Sequence, residues 1–245
     1  MSSAENTYQF ASVDALQNHF SSVFGDRNGI YLPDRRDRID LLMVGARELN
    51  QARRSGDADA ADTALARVMS RIFCVANGIN DLPVAQGLDV KYPDTGCAYC
   101  GNSICNCGEN RAPASLDWDN GNWSASRSGR KSWSLNSWQE QLWSIYGEKN
   151  EAGGLDYVLG RLVSEIGEVI AFEHQVPHKK ISEIKTEYPL ELADVTAWTL
   201  AAGSLMNRDV QRATEARYGQ GCLTCRRPVC GCGPEQFDKV WDILG

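Results

Sequence analysis

Two groups of four cysteines share one spacing. Cys97-x2-Cys100-x4-Cys105-x-Cys107 recurs 125 residues later as Cys222-x2-Cys225-x4-Cys230-x-Cys232. A spacing written out twice points to an internal repeat, and a repeat dictates how every other segment is read. The similarity extends upstream. Leu16–Asn28 reads LQNHFSSVFGDRN and Trp138–Asn150 reads WQEQLWSIYGEKN, an offset of 122. Gln, Ser, Gly and Asn are identical there, and most other positions match by class. Further on, Leu65-Ala66-Arg67-Val68 aligns with Leu192-Ala193-Asp194-Val195. The drift in offset fits small loop insertions. The expected organisation is two homologous units, 11–108 and 138–233, joined by a linker at 109–137. The linker is rich in Ser, Asn, Gly and Asp. It also carries Trp118, Trp123 and Trp133, large rings expected to pin it to a domain surface.

Apolar residues recur at helical spacing in both units. Val13, Leu16, Phe20, Val23 and Phe24 form one stripe, and Ala61, Leu65, Val68, Met69, Ile72, Phe73 and Ala76 another. Ile39–Leu49 reads as a helix between them. In the second unit Leu155, Val158, Leu159, Leu162, Val163, Ile166, Val169 and Ile170 repeat at i, i+3, i+4 and i+7. Pro177 ends that stripe, and Pro189 is expected near the start of the next helix, running to about Asn207. No segment alternates with period two. The fold class is therefore expected to be all-α: two antiparallel helical bundles, each ending in a cysteine knuckle.

Four thiolates at these gaps can close tetrahedrally on one Zn²⁺, and a site with no open position is structural. An iron–sulfur cluster also takes four cysteines, so spacing alone leaves both metals open. A disulfide framework would suit a secreted chain. Residues 1–10 lack a basic and apolar leader pattern, which sets the expectation of a cytoplasmic protein. Cys74 stands alone on an apolar helix face and reads as a core residue. The net charge of −7 opposes binding of polymeric nucleic acid through a basic surface. No apolar run is long enough to span a bilayer.

Glu165 and Glu168 are three residues apart on the clearest helix of the chain. Glu191 and Asp194 repeat that spacing on the next long helix. Residues at i and i+3 share one helix edge, so antiparallel packing could bring all four carboxylates together. An all-oxygen cluster of this charge suits Mg²⁺ or Mn²⁺. Either pair alone would read as a solvated helix face. Two pairs on consecutive helices, each beside an apolar stripe, read as a site.

Ser164-Glu165-Ile166-Gly167-Glu168, followed by Glu191-Leu192-Ala193-Asp194, resembles the EExxE and ExxD signature of the MazG-like all-α nucleoside triphosphate pyrophosphohydrolases. The resemblance covers about residues 138–207, and more faintly 16–80. One position departs from it: Ser164 stands where the first glutamate of EExxE would be. The resemblance implies hydrolysis between the α and β phosphates of an NTP or dNTP, with Mg²⁺ or Mn²⁺ on Glu165, Glu168, Glu191 and Asp194. One of the glutamates, with Glu168 the first candidate, is expected to act instead as base for the attacking water, and spacing leaves open which. It also implies assembly from two such units, supplied here either by the repeat within one chain as a pseudo-dimer or by a homo-oligomer. The first unit lacks the acidic set, because Gly45, Ala64 and Arg67 align with Glu165, Glu191 and Asp194. Only Glu48 is kept, opposite Glu168. Arg67 is a weak candidate for reaching phosphate.

Substrate contacts are sought among Lys149, Arg161, Lys179 and Asn207. Trp138, Trp143 and Trp198 are expected in the core, and His174 and His178 in a loop. Two alternatives stay open: a non-enzymatic zinc-binding interaction protein, and a hydrolase of a related nucleotide such as phosphoribosyl-ATP.

Overall fold

A computed structural model describes residues 10–78, 82–92, 94, 96–107 and 130–233. Trp118, Trp123 and most of the expected linker lie outside the described residues. Seven α-helices follow one another: α1 (Val13–Tyr31), α2 (Arg35–Ser55), α3 (Ala58–Asn77), α4 (Val84–Lys91), α5 (Leu135–Gln175), α6 (Ile181–Leu205) and α7 (Val210–Tyr218). There is no strand among the described residues, so the chain is all-α. No helix among them is long and apolar enough to cross a membrane.

Short polar side chains start the helices. Ser12 accepts the Ala15 N–H at α1, and Ser134 accepts the Ser137 N–H at α5. Asp34, Asp57 and Asp209 do the same for α2, α3 and α7. Helix α5 is broken at Gly154, whose φ of 74° and ψ of 176° lie outside helical space. Its two segments therefore stand where α1 and α2 stand in the first half. The order of three long helical segments, one short helix and one cysteine knuckle occurs twice.

Pro189 corrects one expectation. It lies inside α6, eight residues after its start, and not at the N-terminus. A proline interrupts one intrahelical hydrogen bond. Tertiary packing outweighs that cost: Tyr188, Pro189 and Leu190 are all buried, and α4 packs across this stretch. A Cβ on Gly87 of α4 would come within 2.1 Å of the Pro189 carbonyl oxygen. The missing side chain lets the two backbones meet.

The short helices are exchanged between halves. Helix α4, in the first half, packs on α6 of the second, and α7 packs on α3 of the first. Buried Gln17 and Gln139 hold the entries to these helices in the same way. Gln17 donates to the Leu82 carbonyl (2.8 Å) and accepts the Val84 N–H (3.2 Å). Gln139 donates to the Arg208 carbonyl (2.8 Å) and accepts the Val210 N–H (3.1 Å). The knuckles follow the exchange. The Cys105 N–H donates to the Ile145 carbonyl on α5, and the Cys230 N–H to the Val23 carbonyl on α1, both at 2.7 Å.

Candidate active site and cysteine centres

Each knuckle gathers its four Sγ atoms within 4.8 Å of one another. Sγ separations reach 3.4 Å for Cys97–Cys105 and 3.3 Å for Cys222–Cys230, with 3.8 and 3.7 Å to Cys107 and Cys232. Four sulfurs around one Zn²⁺ with bonds near 2.3 Å would lie about 3.8 Å apart. A disulfide would need about 2.05 Å, and all nine cysteines are free. Backbone N–H groups of Asn102 and Asn106 bring the Cys100 thiol down to about 6, and those of Gly231 and Arg227 do the same for Cys225. Burial pushes Cys107 up to about 12. A cation among the four would favour thiolate at every position. Gly96 and Gly221 open the two knuckles at positive φ. A Cβ there would meet the Asn102 and Arg227 carbonyl oxygens at 2.4 and 2.1 Å. The donor set fits a soft or borderline metal in both knuckles.

One cavity measures about 550 Å³. Its walls come from α5 and α6 of the second half, closed by the end of α4 and the knuckle of the first half. Trp143, Tyr146, Tyr157 and Trp198 supply its aromatic lining. Glu165, Asp194 and Arg161 line it as well, and the Arg161 guanidinium lies 5.5 Å from the Trp198 ring centroid, so charged and aromatic groups adjoin. Trp138 is fully buried as expected, but Trp143 and Trp198 are only half-buried and line the cavity. Helical periodicity places an indole on a face without saying whether a neighbour fills the space before it.

Asp194 is buried and doubly held. Lys91 Nζ reaches one carboxylate oxygen and the Tyr92 hydroxyl donates to the other. Arg161 Nη2 contacts Glu165 Oε1 at 2.7 Å, one turn away on α5. Burial, with the fields of Asp194 and Glu168, lifts Glu165 to about 7. Glu191 is also raised, by burial first, and Asp194 and Glu168 add to the shift. Its Oε2 atom is buried with no hydrogen-bond partner. Glu168 is exposed. The four carboxylates thus share one electrostatic neighbourhood. They do not close to the spacing of the cysteine groups, the only two among the described residues with three or more ligand atoms within 4.8 Å. Like charges repel, and Lys91 and Arg161 stand beside Asp194 and Glu165.

Of the expected substrate contacts, Lys149 and Arg161 line the cavity. Lys179 and Asn207 do not. Lys179 is paired with Glu187 at 2.6 Å and lies over the Phe172 ring. Asn207, two residues past the end of α6, lies in the left-handed region at φ 54° and borders an adjoining hollow with Arg208 and Asp209, which shares Gln139, Trp143 and Ser204 with the cavity. Arg67 lies away from the cavity, bound to Glu48 at 3.0 Å beside Arg71 at 2.9 Å.

Lys91, Tyr92 and Tyr99 were not among the expected site residues, because they belong to the half without the acidic set. A signal was present. Lys91-Tyr92 precedes the first knuckle as Arg217-Tyr218 precedes the second.

The first half holds a counterpart of the cavity, reduced to about 90 Å³. Phe20, Ser21, Phe24, Asn28, Ser70 and Cys74 border it, where the aligned Leu142, Trp143, Tyr146, Asn150, Ala197 and Ala201 border the large one. Asn28 Nδ2 donates to Cys74 Sγ at 3.1 Å and its Oδ1 accepts from Arg27. Cys74 is thus half-buried at a small cavity and not in the deep core. Ala201 offers Asn150 no such partner. Asn150 is 5% exposed and lines the large cavity, and its side chain makes no hydrogen bond with another described residue.

No family model matches the chain, and comparison with curated proteins and with solved structures returns no match.

Proposed function

We propose that this protein is a Mg²⁺- or Mn²⁺-dependent nucleoside triphosphate pyrophosphohydrolase of the MazG-like kind, built from two copies of one unit of which the second carries the site. The observation that carries this reading is one cavity lined by aromatic rings, carboxylates and cations together. A heteroaromatic base suits the rings, since indole and phenol faces stack on any base. A triphosphate suits Arg161 and Lys149 in its wall, with Lys91 close by on Asp194.

The donor set there fits a hard divalent ion. It is all oxygen, it contains a buried carboxylate oxygen on Glu191 without a partner, and the charges of Asp194 and Glu168 help to raise Glu165 and Glu191. Glu165, Glu191 and Asp194, with Glu168 at the rim, would hold the ion. Such an ion would neutralise phosphate charge and polarise the phosphoryl group whose phosphorus is attacked. The chain's own residues do the rest. Trp143 and Trp198 orient the base, Arg161 and Lys149 meet phosphate oxygens, and exposed Glu168 takes the proton of the attacking water. Water adds to the α phosphorus, the α–β bridge breaks, and pyrophosphate leaves. The two knuckles hold structural Zn²⁺.

The test is a panel of NTPs and dNTPs with Mg²⁺ or Mn²⁺, products resolved as monophosphate plus pyrophosphate or diphosphate plus phosphate. Pyrophosphate from one or a few substrates, abolished in Glu191→Gln with helicity intact, is expected. Diphosphate as product, or turnover surviving in Glu191→Gln, would refute the reading. No turnover on any substrate would favour a zinc-dependent interaction protein.

A further inference from the structure

We propose that the Cys97–Cys107 knuckle is a working wall of the nucleotide site, and that Tyr99, carried on its first turn, donates its hydroxyl to a substrate phosphate oxygen. This rests on the nucleotide reading above. Tyr99, Cys105 and Cys107 all border the large cavity. The Tyr99 phenol lies within electrostatic reach of Asp194, Lys91, Glu165 and Arg161, and shares the cavity wall with Asp194, Glu165 and Arg161. It is 39% exposed, and its hydroxyl makes no hydrogen bond with another described residue. A phenol is both donor and acceptor, so an unengaged one beside these charges suits an anionic oxygen held among cations.

The knuckle fixes where this phenol stands. The Tyr99 N–H donates to Cys97 Sγ at 3.4 Å, and the Ala98 N–H to the Tyr146 hydroxyl at 3.1 Å. With the Cys105 to Ile145 bond, these join the sulfur centre to the aromatic wall. The second knuckle docks through the same backbone bond, yet none of its residues borders the small cavity. Thr224 stands there where Tyr99 stands in the first. The two centres share one architecture, and only one faces the site.

Direct binding tests this without turnover. The probes are α,β-imido analogues of the four common NTPs and the four common dNTPs, with Mg²⁺, titrated by calorimetry. Wild-type protein should bind at least one. Tyr99→Phe, which leaves the thiolates intact, should bind that analogue about tenfold more weakly, and Tyr99→Ala more weakly still. Thr224→Ala should bind as wild type does. Cys100→Ser should lose the metal of the first knuckle and at least tenfold in affinity, with metal content and helicity measured on the same sample. Wild-type affinity in folded Tyr99→Phe and Tyr99→Ala would overturn the proposal while leaving the nucleotide reading intact. A Thr224→Ala variant as weak as Tyr99→Ala would also overturn it. Failure of the wild-type protein to bind any analogue would overturn the nucleotide reading, and this proposal with it. Where Cys100→Ser fails to fold, Tyr99→Phe decides.

Discussion

Lys91 in the first half and Asp194 in the second form a buried ion pair across the junction of the halves, with side chains 13% and 12% exposed. Tyr92 completes the grip on the same carboxylate. Removing one partner of a buried pair strands the other charge, a loss of about 3 kcal/mol or more. Lys91→Met should therefore lower stability by that order in urea unfolding. Lys91→Met combined with Asp194→Asn should be less destabilised than Lys91→Met alone. Mg²⁺ should restore part of the loss in the single variant, because it replaces the missing positive charge. No recovery would count against metal binding at Asp194.

Glu165 makes stability depend on pH. Its folded pKa of about 7 lies above its ordinary 4.5, so the folded state binds more protons between those values. Its contribution is most favourable below about pH 4.5 and declines as pH rises through 7. The loss amounts to roughly 3 kcal/mol at most, taking 1.36 kcal/mol per unit. Raised Glu191 acts in the same direction. Unfolding followed from pH 5 to 8 without divalent ions should show the decline. Glu165→Gln should flatten it, and saturating Mg²⁺ should oppose it. A wild-type profile rising across this range in Glu165's place would contradict the assignment.

Gly87 is the contact point of the exchanged helix. A methyl group there would strike the Pro189 carbonyl oxygen, a backbone atom that cannot rotate away. Gly87→Ala should cost 2 kcal/mol or more, against a gain of about 1 kcal/mol that alanine brings to an unconstrained helix. The displacement of α4 carries Lys91 with it, so nucleotide affinity should fall together with stability. Thermal melting and analogue binding on the same variant would show both.

The cysteine centres predict two metal ions per chain. Elemental analysis should find two equivalents of zinc and no visible charge-transfer absorption. Iron with absorption near 400 nm would assign clusters instead. A strong chelator should lower the melting temperature before it abolishes turnover, since metal-linked folding energy is lost first.

Most of the helical architecture was readable in the chain because apolar residues recur at helical spacing. The α1, α3 and α5 stripes all lie on helices. Pro189 misled because its cost is local while the packing that offsets it comes from Gly87, about a hundred residues away. The knuckles were legible because thiolate spacing is a local constraint, and they form as groups. The acidic pairs could be found as pairs, but not Lys91, Tyr92 or Tyr99. Helical periodicity describes one helix at a time, whereas Lys91 and Tyr92 reach Asp194, and Tyr99 the cavity, only because α4 and the knuckle after it pack on the second half. The repeated Gln17 and Gln139 carried that information in a hidden form. Their mirrored hydrogen bonds fix both short helices, and spacing alone could not say so.

The exchange of α4 and α7 makes the two halves topologically interdependent. A chain cleaved between residues 109 and 129 would yield two fragments, each missing the short helix that covers its own long ones and each holding the other's. Neither fragment is a domain in isolation, and the stable product of such a nick is the pair, held together without a covalent link. Two similar halves within one chain also escape the restriction on a symmetric dimer, where every substitution alters both sites at once. Here one cavity could fill with Phe20, Phe24 and Cys74 while the other stayed open.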